Sequence, residues 1–207
     1  MNFLFIALVC LILSLLSAVW SLLTTKQWLD KANLTFLLQD FINAETYSIG
    51  LILLSIISLV LTKLTLGKIQ ITVTAAIIFA SAMVQYYYGL SFKLYPEAII
   101  SSKWESWLQL LNQKEIIAIQ EFFQCCGFFK SYEFIKDKCT LPYANACYPT
   151  LMSNLRNNFL TTGTIFLLQA SLILIALGFI FVVGRTRRHH SNRTHNQLIS
   201  NTPEPVF

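Results

Sequence analysis

The 207 residues are 55% hydrophobic and 12% charged, about half the charged share of a soluble domain, which excludes an ordinary soluble globular protein and sets the class as membrane protein. The net charge of +5 resides in basic residues beside apolar runs, so it speaks of membrane orientation rather than nucleic-acid binding. Four of the five cysteines crowd between Cys125 and Cys147. That implies an oxidising compartment rather than zinc, because the segment has no histidine and no cysteine pair two residues apart.

In chain order, Phe3 to Leu23 is almost wholly apolar. At about 21 residues and 1.5 Å per residue it spans about 30 Å, enough for a first transmembrane helix. The absence of a basic leader and the poor cleavage site at Leu16-Ser17-Ala18 argue against a signal peptide. Ser14 with Ala18 and Ser17 with Ser21 place small residues four apart, where a neighbouring helix can approach. Residues 24–46, with Lys26, Asp30, Lys31, Asp40 and Glu45, are expected as a small extracellular loop anchored by Trp28 and Phe36. Asn33-Leu34-Thr35 is a glycosylation acceptor on that side. Tyr47 to Leu66 and Ile69 to Leu90 form the second and third spans, joined by a tight hairpin whose Lys63 and Lys68 mark it as cytoplasmic. Gln85 lies inside the third span, ahead of three interfacial tyrosines and Gly89. At that depth an amide needs a partner.

Residues 91–159 are the large extracellular loop. Trp104, Trp107, Leu108, Leu111, Ile116, Ile119 and Phe123 recur at helical spacing. Two helices are expected, with a break near Asn112 and Pro96 bending the chain or starting the first of them. Gly127 suits the left-handed conformation that ends a helix, and Thr150 to Asn158 reads as a short helix returning to the bilayer. Cys125 and Cys126 are neighbours with alpha carbons about 3.8 Å apart, below the usual bridging range of about 4.4 to 6.8 Å. Each therefore looks downstream, leaving a nested pairing (Cys125 with Cys147, Cys126 with Cys139) or a crossed one. The bridges pin residues 128–148, whose Phe128, Phe129, Tyr132, Phe134 and Tyr143 could form an exposed contact patch for a partner or pack the loop's own interior.

Residues 160–184 form the fourth span, with Gln169 as its one strongly polar side chain. The tail 185–207 opens with Arg185, Arg187, Arg188 and Arg193, so it is cytoplasmic, a cluster that could bind acidic lipid headgroups and that a stop-transfer anchor also explains fully. A second sequon, Asn192-Arg193-Thr194, falls on that side and is expected to be inert, and Pro205-Val206-Phe207 offers a carboxylate after apolar residues of the kind a peptide-binding domain captures. Both termini then face the cytoplasm. The fold class is an all-α membrane protein of four transmembrane helices with a mostly helical, disulfide-stapled large extracellular loop.

Four spans, a small and then a large outer loop, and Cys125-Cys126-Gly127 followed by Cys139 and Cys147 resemble the tetraspanin family. The resemblance covers the whole chain and implies the nested pairing. Gln85 with Gly89 and Gln169 are similar to the polar positions of the family's third and fourth spans. The first span offers serines where the family has asparagine, and the loop lacks the family's Pro-x-x-Cys spacing. No cysteine lies at a cytoplasmic span end, so palmitoylation is not expected, Cys10 being the one candidate. The resemblance implies a non-enzymatic membrane organiser without cofactor, at the plasma membrane or endosomes. It would bind other integral membrane proteins and further copies of itself, and hold lipid or sterol in its bundle. A four-span thiol oxidoreductase would need a Cys-x-x-Cys pair, and a claudin-like junction protein would need cysteines in its first outer loop; this chain has neither.

Overall fold

The computed structural model describes residues 3–35, 37–65, 67–103, 105, 107, 114–130 and 145–200. Its helices are α1 (Phe3–Lys31), α2 (Gln39–Thr65), α3 (Lys68–Leu94), α4 (Pro96–Ser101), α5 (Lys114–Phe123) and α6 (Cys147–Ser200). Four of them are long and apolar enough to cross a membrane: Phe3–Lys31, Gln39–Leu64, Ile69–Leu94 and Cys147–Thr186. The chain is a multi-pass helical membrane protein.

The bundle follows from a regular buried stripe on each long helix. In α1 it runs Ala7, Leu11, Ser14, Ala18, Ser21, and in α2 Phe41, Glu45, Ser48, Ile52, Ser55, Leu59, Thr62. In α6 it runs Phe159, Thr162, Phe166, Gln169, Ile173, Ala176, Ile180. Alternating steps of three and four average 3.5 residues, the repeat that keeps one seam facing its neighbours in a left-handed bundle. Of the two small-residue pairs in α1, Ser14 with Ala18 lies on the seam, whereas Ser17 is only partly buried and donates to its own Ser14 carbonyl at 2.8 Å.

Where a loop was expected across 24–46, only Ala32 to Leu38 separates the first two helices. Helix α1 continues because Lys26, Asp30 and Lys31 fall on its exposed side while Leu29 stays buried. It ends in a Schellman motif. Asn33 takes the left-handed conformation (φ 55°), with Leu34 N–H donating to Leu29 O at 2.9 Å and Asn33 N–H to Asp30 O at 3.2 Å. The following leucines, Leu34, Leu37 and Leu38, are buried under the large loop's helices.

Two further boundaries differ from the sequence reading. Helix α3 runs to Leu94, and Pro96 starts α4 at its first turn, where its missing N–H is not needed. The short helix expected at 150–158 and the fourth span are one element, α6, because the stripe Leu151, Leu155, Phe159, Thr162 passes through Asn157-Asn158 unbroken. Helix α6 lies antiparallel to α3. The two backbones meet where a β-carbon on Gly163 would stand 2.9 Å from the Gly89 carbonyl oxygen, and one on Gly89 would stand 2.9 Å from Leu167. Only glycine permits that approach.

One core occupies the α3–α4 end of the bundle and continues into the large loop, joining Leu34, Phe41, Phe92, Trp107, Phe128, Leu151 and Phe159. A second core fills the opposite end around Leu11, Ile52, Ile78 and Ile173. The ion pair of Lys103 with Asp40 ties the start of α2 to the segment after α4.

Candidate functional site

The first candidate is the stapled loop. Helix α5 ends in a second Schellman motif, with Gln124 left-handed (φ 50°) and Cys125 N–H donating to Gln120 O at 3.0 Å. Gln124 therefore takes the helix-ending role expected of Gly127. Gly127 is left-handed too (φ 68°), but it turns the chain after the cysteines. That turn sets residues 126–128 beside 145–148: Cys126 N–H donates to Asn145 O at 2.9 Å, Cys147 N–H to Gly127 O at 3.3 Å, and Tyr148 N–H to Phe128 O at 2.8 Å. The last two bonds satisfy amides that the start of α6 would otherwise leave unpaired.

Cys125 and Cys147 are bridged, with alpha carbons 4.8 Å apart, and both are buried, 1% and 0% exposed. This bond excludes the crossed pairing. Cys126 is disulfide-bonded as well, and Cys139, its expected partner, lies outside the described residues. The bridge closes 22 residues and is worth about 3 kcal/mol in the chain-entropy account.

Phe128 does not belong to an exposed patch. It is fully buried, with ring centroids 5.1 Å from Trp107 and 5.8 Å from Tyr148. The alternation of the turn sends it inward and leaves Phe129 outward, 41% exposed and 5.2 Å from Tyr148. Tyr132, Phe134 and Tyr143 lie outside the described residues.

The second candidate is a buried polar layer across the bundle. Gln85 of α3 is fully buried and its Nε2 donates to Ser48 Oγ of α2. Gln169 of α6 is 2% exposed and lines a narrow gap with Ala18, Ser21, Glu45, Ser48 and Phe166, with no room for a water-sized sphere. The structure adds a member that the sequence reading placed in a loop. Glu45, 2% exposed, accepts from Ser21 Oγ at 2.8 Å and Thr25 Oγ1 at 3.2 Å, linking α2 to α1. Its position on the seven-residue stripe of α2 was the available signal. Nearer the hairpin, Thr74 Oγ1 lies 2.7 Å from both Ser58 Oγ and Thr62 Oγ1, so hydroxyls also join α2 to α3.

Beside the layer, a cleft of about 300 Å³ opens between α1 and α6. Its walls mix hydroxyls (Ser21, Thr25, Thr162) with rings (Trp28, Phe41, Phe159). Asn33 is exposed at the end of α1, and the Thr35 hydroxyl of its sequon donates to Asp30 Oδ1 at 2.6 Å. Cys10 is a free, partly buried thiol within α1. Among the described residues, no three His, Cys, Asp or Glu side chains gather as a metal site.

No protein-family model, curated protein or solved structure matches the chain.

Proposed function

We propose that this protein is a non-enzymatic membrane organiser of tetraspanin type, binding partner membrane proteins through its large loop and through the sides of its bundle. The observation that carries the reading is the Cys125–Cys147 bridge, buried at the junction of α5, α6 and the bundle-end core. A preorganised surface held on rigid helices loses little conformational entropy on binding. The same burial weighs against the thiol oxidoreductase, whose working pair must be reached by electron carriers.

In this reading both termini and the hairpin are cytoplasmic, and the large loop faces the lumen or cell exterior at the plasma membrane or endosomes. Asn33 then carries glycan. A lipid or sterol would occupy the 300 Å³ cleft between α1 and α6 rather than the closely packed layer of Gln85 and Gln169. Partners on the bundle side, including further copies of the chain, would meet exposed apolar faces such as Leu16, Trp20 and Leu23.

The test is a photocrosslinking amino acid at Phe129 in cells, compared with one at buried Phe128. The reading expects discrete crosslinked membrane proteins from position 129. These should disappear when Cys125 and Cys147 are both changed to Ser, in a variant that still reaches the membrane. Equal, diffuse crosslinking from all three proteins would sink it.

A further inference from the structure

A groove runs between the first half of α3 and the last apolar turns of α6. It encloses about 630 Å³ and is walled by Ile71, Ala75 and Phe79 on one side and Leu177, Phe181 and Arg185 on the other. The alanine at its floor makes the depth, and the outer rings, Phe79 at 51% and Phe181 at 59% exposed, make the rims.

Its length and charge identify an occupant. From Ile71 to Phe79 and from Leu177 to Arg185 are nine residues each, eight helical steps or about 12 Å. That is close to one leaflet's share, about 15 Å, of the hydrocarbon core. A spanning helix would need the whole thickness, whereas one acyl chain needs one leaflet. The groove's only charged lining residue among those described is Arg185, at the mouth, and Arg187 and Arg188 follow in sequence. The start of α3, at the same end, has no side-chain cap on its amides, so its dipole adds positive potential there.

We propose that this groove holds one anionic glycerophospholipid, an acyl chain between α3 and α6 and the phosphate at Arg185. The site lies outside the bundle interior and is independent of the organiser reading.

The experiment is native mass spectrometry of the full chain released from phosphatidylcholine nanodiscs doped with phosphatidylserine. One phosphatidylserine per chain should survive activation that strips phosphatidylcholine. Arg185→Gln, at an exposed position, should lower the retained serine-to-choline ratio about fivefold, the usual strength of a basic side chain near an anionic surface. Ala75→Phe should abolish the retained lipid altogether. Equal retention of both lipids by the unaltered chain would overturn the proposal, as would a preference untouched by either variant, which would assign it to the tail. Chain dimers broken by Ala75→Phe would also overturn it, in favour of a second copy as occupant.

Discussion

At the scale of single residues, one side chain can do opposite work from its neighbour. Phe128 and Phe129 are adjacent rings, yet the turn at Gly127 buries the first and exposes the second. Removing a buried ring costs its transfer energy and leaves a cavity, so Phe128→Ala should destabilise the loop by about 3 to 5 kcal/mol. Phe129→Ala should cost under about 1 kcal/mol. Chemical denaturation in detergent, followed by tryptophan fluorescence, reads both, and equal losses would contradict the inward placement of Phe128. Glu45 makes a similar case inside the bundle. Glu45→Gln keeps an oxygen to accept from Ser21 and Thr25, whereas Glu45→Ala strands both hydroxyls and leaves a void. The alanine variant should therefore be less stable than the glutamine variant by about 2 to 4 kcal/mol. Thermal unfolding of the two variants side by side decides it, and parity would mean that the carboxyl holds nothing.

Sequence legibility also divides at this scale. Gln85 and Gln169 stand out because each is polar inside an apolar run, and both lie buried where the spans meet. Glu45 did not stand out. Its neighbours Asp40, Asn43 and Thr46 are polar and three residues of any loop look alike, so only the stripe linking it to Ser48, Ile52 and Leu59 distinguishes a helix. Gln124 gave no signal, since glycine is the ordinary left-handed residue and Gly127 was close by.

At the scale of elements, the four long helices were legible as apolar runs, but their ends were not. Span length reports how much hydrocarbon a helix crosses and says nothing of how far it continues into water. Helix α1 continues past the apolar run to Lys31 and α6 begins well before it at Cys147, because both keep a buried stripe in the core at the α3–α4 end of the bundle. The α3–α6 pair rests on the Gly89–Gly163 approach. A methyl group on Gly163 would meet the Gly89 carbonyl and Lys93 backbone, neither of which can rotate away. Gly163→Ala should thus destabilise by about 1 to 3 kcal/mol, while Gly178→Ala, with nothing within 4 Å, should be neutral or slightly stabilising. Thermal melts of the pair check this, and a neutral Gly163→Ala would show that the helices can part freely.

At the scale of the whole molecule, a single apolar core couples bundle and loop, with the Cys125–Cys147 bridge set inside it. Stapling and packing act on the same junction. The most direct measurement is mass mapping of the bridges under non-reducing conditions, in protein taken from membranes, with added quinone and mild reductant as challenges. A Cys125–Cys147 peptide should persist through both challenges. A Cys125–Cys139 peptide would contradict the nested pairing and the family resemblance, whereas cysteines that cycle with quinone would overturn the organiser reading in favour of the thiol oxidoreductase.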